Sequence, residues 1–327
     1  MTASMNSSRQ PDGEMGRGYP LIGSIQNSVG MGFLGNQCVF AVANALGARA
    51  VAAPSQFASA HGGFSGRSNT ISDPGQFRRD VAFAIAQRPA VLVVGYLPKP
   101  VHVEIVSELL EGYTGVVLLD PVIGDHEKGL YVSAETARAI KEHLVPMAQM
   151  ITPNRFEAEV LLGIDPSRTP SEHEMLNGLI DLGPHTVVVT SFQRDVEKKR
   201  LMSLFSNGYS YYRITSPFYT GYPAHGVGDT FTAGIAAFIA IGASPFSACV
   251  LATTLCARAV LGTTTYGGAT VDPVGALQEW RPLGYHIDDD KAMKFCAKSL
   301  VMTEQIKATA YDGPRLKFAP PTNKIRY

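Results

Sequence analysis

The chain has 327 residues, enough for one large domain or two smaller ones with a sizeable core. Its 28 basic and 28 acidic side chains give a formal net charge of zero, which leaves no electrostatic argument for nucleic acid or an anionic membrane as a partner. Hydrophobic residues make up 45% of the chain, as is usual for soluble globular proteins. The four cysteines are scattered and lack the spacing of a zinc site, so we expect buried thiols in a reducing cytoplasm.

The two ends of the chain differ in composition from its middle. Residues 1–20 are polar and lack the apolar core of a signal peptide, so we expect a disordered segment. Residues 21–280 are expected to form one folded domain. Residues 281–327 are expected to be a C-terminal extension, with a helix over about 289–308.

The longest apolar run, residues 231–261, could be a membrane span by length alone. Ser244 and Pro245 interrupt it, and Arg258 places a charge near its far end. Two packed core helices therefore fit this run better than a membrane span, and we expect no membrane partner.

Short apolar runs alternate with helix-like segments through most of the chain. Residues 90–94 read Ala-Val-Leu-Val-Val, which is typical of a strand buried on both faces of a parallel sheet. Strands are predicted at 21–26, 48–53, 90–94, 116–119, 150–151 and 186–190, and helices at 37–46, 73–87, 101–111, 133–144, 155–162 and 172–182. This alternation predicts an α/β fold with an open, mostly parallel sheet and helices on both faces.

Three segments fall outside this alternation. Residues 59–66 are rich in glycine and are predicted to form a mobile flap. Asn207-Gly208 is a strong turn signal and predicts a β-hairpin over 201–213. The charged stretch 194–200 is expected to be a solvated loop, with a lid that faces a phosphate as the alternative.

Polar residues occur at the ends of the predicted strands. In open α/β sheets, ligands bind at the edge formed by the carboxyl ends of the strands. The residues in these positions are Asn27, Ser55, Tyr96, Asp120, Asn154 and Thr190. The pattern predicts a ligand site along that edge.

The stretch 226–234 reads Gly-Val-Gly-Asp-Thr-Phe-Thr-Ala-Gly and opens an apolar helix. The first turn of a helix has unpaired N–H groups and partial positive charge, and glycines let a phosphate approach the backbone. Asp229 would lie beside this anion site and could accept a proton from a hydroxyl group that attacks the phosphate. The simpler alternative is an aspartate that caps a helix after a glycine turn.

Four other segments accompany this turn: 26–36, 95–97, 120–132 and 151–159, the last two beginning Asp-Pro-Val and Ile-Thr-Pro-Asn. Together the five segments resemble the pyridoxal kinase branch of the ribokinase-like superfamily. The resemblance implies a ribokinase-like three-layer α/β/α sandwich with a central, mostly parallel sheet. It also implies a homodimer that binds ATP and a B6 vitamer (pyridoxal, pyridoxine or pyridoxamine) and phosphorylates the 5′-hydroxymethyl group.

The resemblance further implies roles for individual residues. Asp229 matches the catalytic base, which also contacts the vitamer, and Gly226, Val227 and Gly228 match the turn that binds the transferred phosphoryl group. Matches to the vitamer pocket are Asn27, Ser55, His61 and Tyr96. Matches to the contacts of ATP are Asp120, Thr152, Asn154, Thr190, Ser191, Gly226 and Gly228. Matches to the surroundings of Mg²⁺ are Tyr131, Glu157 and Asp120, and the use of a monovalent cation such as K⁺ is left open.

Several of these residues also have an ordinary structural interpretation. Asp120 could end a strand in a turn, and Glu157 could be a first-turn helix acid. Tyr96 could pack in the core. Their occurrence together at successive strand ends favours the functional interpretation.

The chain departs from the family pattern on the vitamer side. Asn27 stands where serine is usual, Ser55 where threonine is usual, and the flap around His61 has lost bulk and an amide. One alternative is a hydroxymethylpyrimidine kinase, but those relatives usually carry cysteine where this chain has Asp229. A sugar kinase fits less well because 26–36 lacks the expected Gly-Gly pattern. A B6-binding protein without catalysis is the third alternative, which the intact acidic residues disfavour.

Overall fold

The computed structural model describes residues 19–220, 225–266, 270–278, 296 and 301–306. Most of its strands belong to one ten-stranded sheet, and β6 and β7 form a separate small hairpin. The strands are β1 (Leu21–Val29), β2 (Arg49–Ala58), β3 (Asn69–Ile71), β4 (Val91–Val94), β5 (Val116–Leu119), β6 (Gly124–Asp125), β7 (Gly129–Leu130), β8 (Met150–Ile151), β9 (Thr186–Asp195), β10 (Arg200–Ser206), β11 (Tyr211–Pro217) and β12 (Met302–Ile306).

The helices of the described residues follow the predicted alternation. They are α1 (Asn36–Ala45), α2 (Pro74–Ala86), α3 (Pro100–Leu110), α4 (Ala134–Ala139), α5 (Arg155–Leu162), α6 (Glu172–Asp181), α7 (Val227–Ala240), α8 (Pro245–Tyr266) and α9 (Pro273–Leu277). A π-helical turn (Ile140–Leu144) and a short 3₁₀ turn (Val145–Met147) continue α4.

The sheet runs in the order β12-β11-β10-β9-β8-β5-β4-β1-β2-β3. Its centre, from β2 to β9, is parallel, and the antiparallel pairs lie toward both edges. Successive residues of β4 point to opposite faces, so Val91 and Val93 enter one hydrophobic core while Leu92 and Val94 enter the other. Helices α1, α7 and α8 cover the first core and α2, α3, α5 and α6 the second. The predicted three-layer α/β/α sandwich is confirmed.

Two parts of the sheet were not predicted correctly. β2 does not end at residue 53 but continues through Pro54 and Ser55 to Ala58, where it pairs with the short antiparallel β3. The charged stretch 194–200 was predicted as a solvated loop, but only residues 196–199 form an exposed turn, because its ends belong to β9 and β10, where Asp195 pairs with Arg200. The predicted hairpin at Asn207-Gly208 is confirmed as the β10–β11 connection.

The C-terminal extension contributes to the sheet. Residues 302–306 form β12, which pairs antiparallel with β11, so the prediction of a helix over 289–308 is wrong at this end. The other residues of that predicted helix, except 296 and 301, lie outside the described residues, as do residues 1–18 of the N-terminal segment.

The long apolar run forms two helices, as predicted, with the break before Pro245. Helix α8 is long and apolar enough, over Pro245–Thr263, to pass a test for a membrane span by length and composition. However, 72% of that window is buried inside the protein, as expected of a core helix.

Candidate active site

The predicted anion site lies at the start of α7. Gly226 precedes the helix with φ of +85°, and a Cβ on it would lie 2.7 Å from the carbonyl oxygen of Phe33. Only glycine satisfies both the left-handed backbone and this close approach. A Cβ on Gly228 would meet nothing within 4 Å, so the backbone is accessible there. The first turn of a helix lacks acceptors for its N–H groups within the helix, so the N–H groups of Val227 and Gly228 are suited to bind an anion.

Asp229 is fixed within this turn by the backbone of Gly35. Its Oδ1 accepts a hydrogen bond of 2.7 Å from the Gly35 N–H. Burial raises the pKa of Asp229, and the Gly35 hydrogen bond partly opposes that rise. A partly desolvated carboxylate in a fixed position is the group expected of a general base.

Asn27 lies on the other side of Gly35. Gly35 has φ of +53°, and a Cβ on it would overlap the Asn27 carbonyl oxygen and lie 2.5 Å from the Asn27 Oδ1. Gly35 therefore contacts both Asn27 and Asp229. The structure brings the predicted vitamer residue and the predicted base together across this single glycine.

A buried side chain that sequence reasoning missed holds this region in place. The Asn36 Nδ2 donates to the Gln26 carbonyl oxygen (2.9 Å) and to the Ser28 Oγ (3.0 Å), and the Asn36 Oδ1 accepts from the Ser24 Oγ (2.7 Å). These bonds tie the first residue of α1 to the end of β1. Asn36 therefore holds Asn27, which lies between Gln26 and Ser28 on β1, and Gly35, which directly precedes Asn36. The sequence shows only an asparagine directly after Gly35, and its burial becomes visible only in the structure.

Asp120 is joined to the same helix that carries Asp229. The Thr232 Oγ1 donates to the Asp120 Oδ2 (3.0 Å) and lies 3.3 Å from the Thr152 Oγ1. Thr232 is three residues after Asp229, so the two side chains share a face of α7. The pKa of Asp120 is raised well above its usual range by burial and then by the charges of Glu157 and Asp229. Sequence reasoning missed Thr232, which looks like an ordinary residue of an apolar helix.

The loop after Asp120 is held by Glu157. The Glu157 Oε1 accepts from the backbone N–H groups of Ile123 (2.8 Å) and Gly124 (3.3 Å). This loop contains Val122 with φ of +45°, a conformation unfavourable for a β-branched residue. The buried carboxylate of Glu157 therefore stabilises a strained turn beside Asp120.

Glu157 and Asn154 also cap helix α5. The Glu157 Oε2 accepts from the Asn154 N–H (2.8 Å), the Asn154 Oδ1 accepts from the Glu157 N–H (3.0 Å), and the Asn154 Nδ2 donates to the Gly124 carbonyl oxygen (2.8 Å). Burial raises the pKa of Glu157 to about 7. The contacts of Glu157 thus match its interpretation as a first-turn helix acid. The predicted roles of Asn154 toward ATP and of Glu157 toward the metal stay predictions.

The predicted metal residues lie near one another without forming a ready cluster. The charge of Glu157 acts on both Asp120 and Tyr131. The Tyr131 hydroxyl donates to the Asp125 carboxylate, and burial and this acid raise the Tyr131 pKa. Among the described residues, no group of three or more His, Cys, Asp or Glu side chains could hold a metal ion unaided.

Thr190 and Ser191 occupy the end of the parallel part of the sheet. The Thr190 N–H donates to the Pro153 carbonyl oxygen (2.8 Å), which places it beside Asn154. Ser191 is exposed and has φ of +52°, and its N–H donates to the Ser203 Oγ (3.3 Å). Both hydroxyl groups lie at the predicted carboxyl edge, on the side of Thr152.

The remaining predicted vitamer residues lie at the end of β2 and after β4. The Ser55 Oγ is buried and donates to the Tyr96 carbonyl oxygen (2.6 Å). Ser55 therefore fixes Tyr96, whose side chain is partly buried with a pKa raised by burial. His61 lies in the segment 59–66, which has no regular secondary structure, and its ring stacks on His225.

The layers and the strand order define the class of this protein as a ribokinase-like kinase fold. The pyridoxal kinase of Staphylococcus aureus in complex with pyridoxal superposes with a TM-score of 0.70, covering 88% of this chain and 100% of that chain at 21% identity. The pyridoxal kinase of Entamoeba histolytica gives a TM-score of 0.71, covering 88% and 99% at 21% identity. At these identities the likeness establishes the fold.

The chain belongs to the phosphomethylpyrimidine kinase family, whose model matches residues 80–275, more than half of the chain. The pyridoxine/pyridoxal/pyridoxamine kinase of Bordetella bronchiseptica is 32% identical over 186 residues, which are 51% of this chain and 62% of that protein. The human pyridoxal kinase is 40% identical over 93 residues, 27% of this chain and 30% of that protein. The matched stretch thus spans less than two thirds of these relatives. The resemblance to pyridoxal kinases is confirmed.

Proposed function

We propose that this protein is an ATP-dependent kinase that phosphorylates the 5′-hydroxymethyl group of a B6 vitamer. The observation that carries the proposal is the Asp229 carboxylate, held by the Gly35 N–H at the open first turn of α7 and separated from Asn27 by that same glycine. The names of relatives support it, since the matched proteins of Bordetella bronchiseptica and human are named pyridoxine/pyridoxal/pyridoxamine kinase and pyridoxal kinase. The S. aureus pyridoxal kinase has been solved with AMP-PCP and pyridoxal together.

Asp229 acts as the general base in this proposal. It accepts the proton of the vitamer hydroxyl group as the oxygen attacks the γ-phosphorus of ATP, and ADP leaves on the opposite side. The N–H groups of the first turn of α7 lie next to Asp229 and stabilise the negative charge of the transferred phosphoryl group. Asn27 offers an amide donor and acceptor to the vitamer ring.

Asp120 is the carboxylate best placed for the metal-bound phosphates of ATP. The Asp120 carboxylate accepts hydrogen bonds from the Thr232 hydroxyl group and the Val122 backbone, while both Glu157 oxygens accept from backbone N–H groups. The oxygen donors Asp120, Glu157 and Tyr131 suit Mg²⁺, which binds with several of its own waters and would neutralise phosphate charge. Their number is too small for a complete protein site, in agreement with a cation that arrives with ATP. A requirement for K⁺ is open.

We further propose a homodimer in the cytoplasm. The resemblance to pyridoxal kinases implies the dimer, and sedimentation equilibrium measures it. The cysteines Cys38, Cys249, Cys256 and Cys296 are unpaired and buried, which supports a reducing compartment.

Product formation tests the proposed function. The purified protein is incubated with Mg-ATP and one of four substrates: pyridoxal, pyridoxine, pyridoxamine or hydroxymethylpyrimidine. The products are separated by chromatography and identified by mass spectrometry. We expect a phosphorylated B6 vitamer from the wild type and from Asp165→Asn, which changes an exposed turn, but not from Asp229→Asn. Turnover of the pyrimidine alone would identify the alternative kinase. Vitamer binding without turnover would identify a B6-binding protein.

A further inference from the structure

The flap (residues 59–66) touches the phosphate-binding turn through two histidine rings. His61 of the flap stacks on His225, with ring centroids 4.0 Å apart and an interplanar angle of 29°. His225 directly precedes Gly226, where the turn begins. A contact therefore joins the flap, predicted to lie on the vitamer side, to the turn proposed to bind the phosphoryl group.

His225 is held rigidly on its side of this contact. Its carbonyl oxygen accepts from the Val271 N–H (3.0 Å). The next residue, Gly226, has a left-handed conformation, and a Cβ on it would lie 2.7 Å from the Phe33 carbonyl oxygen. The imidazole of His225 thus projects from a backbone fixed at two points.

The flap is folded around His61 on the other side. The His61 Nδ1 accepts from the Gly63 N–H (3.0 Å), and the Phe64 N–H donates to the His61 carbonyl oxygen (3.1 Å). The Phe64 ring meets the His61 ring edge-on at 4.9 Å. A Cβ on Gly63 would lie 2.9 Å from the His61 ring and 3.9 Å from the His225 Nε2, so a larger residue at this position would crowd the stacked pair. The tip of the flap is shaped to present His61 to His225.

The charged groups around the pair favour neutral rings. Lys128, on the turn between β6 and β7, acts on both histidines, and Arg67, just beyond the flap, acts on His61. Burial and then these cations, together with His225 in the case of His61, lower the pKa of the imidazole groups. These shifts favour the uncharged form of both rings, in which they stack without charge repulsion.

We propose that His225 is a positioning residue that docks the flap onto the phosphate-binding turn through its stack with His61. The docked flap closes over the vitamer only when the turn is in its phosphate-binding conformation, which keeps water away from the γ-phosphate. The kinetic test of this docking rests on the proposed kinase function, whereas hydrogen–deuterium exchange of the flap does not depend on it. An aromatic pair shifts such an equilibrium by about 2- to 12-fold.

Steady-state kinetics test the catalytic consequence. The variants are His225→Ala, His225→Phe, which keeps a ring for stacking, His61→Ala, and the double alanine variant. We expect His225→Ala to raise the KM for pyridoxal by about 2- to 12-fold and to increase ATP hydrolysis without vitamer, with kcat changed less than KM. His225→Phe should restore the KM, and the double variant should be no worse than either single variant. His143→Ala, at an exposed histidine of the π-helical turn, is the matched control.

Hydrogen–deuterium exchange of the protein without ligands tests the docking directly. His225→Ala should speed exchange of the peptide that covers residues 59–68, and His225→Phe should leave it near the wild-type rate. Unchanged exchange and unchanged KM in the alanine variant would overturn the docking role. If the wild type phosphorylates no vitamer, the proposed function fails, while the exchange result still decides whether His225 docks the flap.

Discussion

Gly35 offers a sharp test of the candidate site because it contacts both Asp229, the proposed base, and Asn27, the proposed vitamer residue. The change Gly35→Ala places a Cβ against the Asn27 carbonyl oxygen, in a backbone region (φ of +53°, ψ of −132°) that side chains rarely adopt. The backbone must move, and the 2.7 Å hydrogen bond to Asp229 is then lost or lengthened. A hydrogen bond to a charged group contributes about 1.5–3 kcal/mol, and each 1.36 kcal/mol corresponds to about tenfold in rate.

We therefore expect Gly35→Ala to lower kcat/KM for vitamer phosphorylation by about 10- to 150-fold. The backbone strain should also lower the free energy of unfolding by about 1–3 kcal/mol, measured by urea denaturation. The control is Gly262→Ala in α8, where a Cβ meets nothing within 4 Å and the φ is not positive. Full activity and unchanged stability of the Gly35 variant would show that the predicted clash and the link to Asp229 are wrong.

Three further predictions concern the acids of the site. Glu157→Gln places an amide among three backbone N–H donors and should lower the free energy of unfolding by about 1–3 kcal/mol, measured by urea denaturation. The control is Glu174→Gln, at an exposed first-turn glutamate, which should change this free energy little. Thr232→Val removes a hydrogen-bond donor to Asp120 and should lower kcat/KM for ATP by about tenfold or more. The control is Thr253→Val, which loses only a hydrogen bond within α8. Equal kinetics of the two variants would contradict the role of Thr232. Burial raises the pKa of Asp229, and a general base must be deprotonated to act. A pH–rate profile should therefore show kcat/KM falling with decreasing pH, at an apparent pKa above the value of about 3.9 of an ordinary aspartate. A fall at or below that value would refute the assignment of Asp229 as the base.

The central strands were predictable because their signals are local. The run Val91–Val94 is apolar on both faces, and the structure buries alternate residues in the two cores. The extension of β2 has no such signal, since Pro54 and Ser55 mark the end of a strand by composition. Its conformation comes from pairing with β1 and β3, which only the folded chain provides.

The site was predictable at Asp229 and less so around it. The glycine turn and the acid are adjacent in sequence, so their joint geometry could be inferred. The bond between Thr232 and Asp120 joins residues 112 positions apart. The two bonds that Glu157 accepts from Ile123 and Gly124 depend on the left-handed turn at Val122, which no residue preference would predict for a valine.

The outermost strand of the sheet has a consequence for shortened versions of this protein. β12 comes from residues 302–306, beyond the stretch 80–275 that matches the family, and it covers the edge of β11. Arg213 on β11 also contacts Glu304 at 3.2 Å. A protein cut after residue 280 would retain Asp229 and the flap, yet it would display a row of unpaired backbone groups along β11. Such an edge recruits strands from other molecules, so the shortened protein should self-associate even though it keeps every residue of the candidate site.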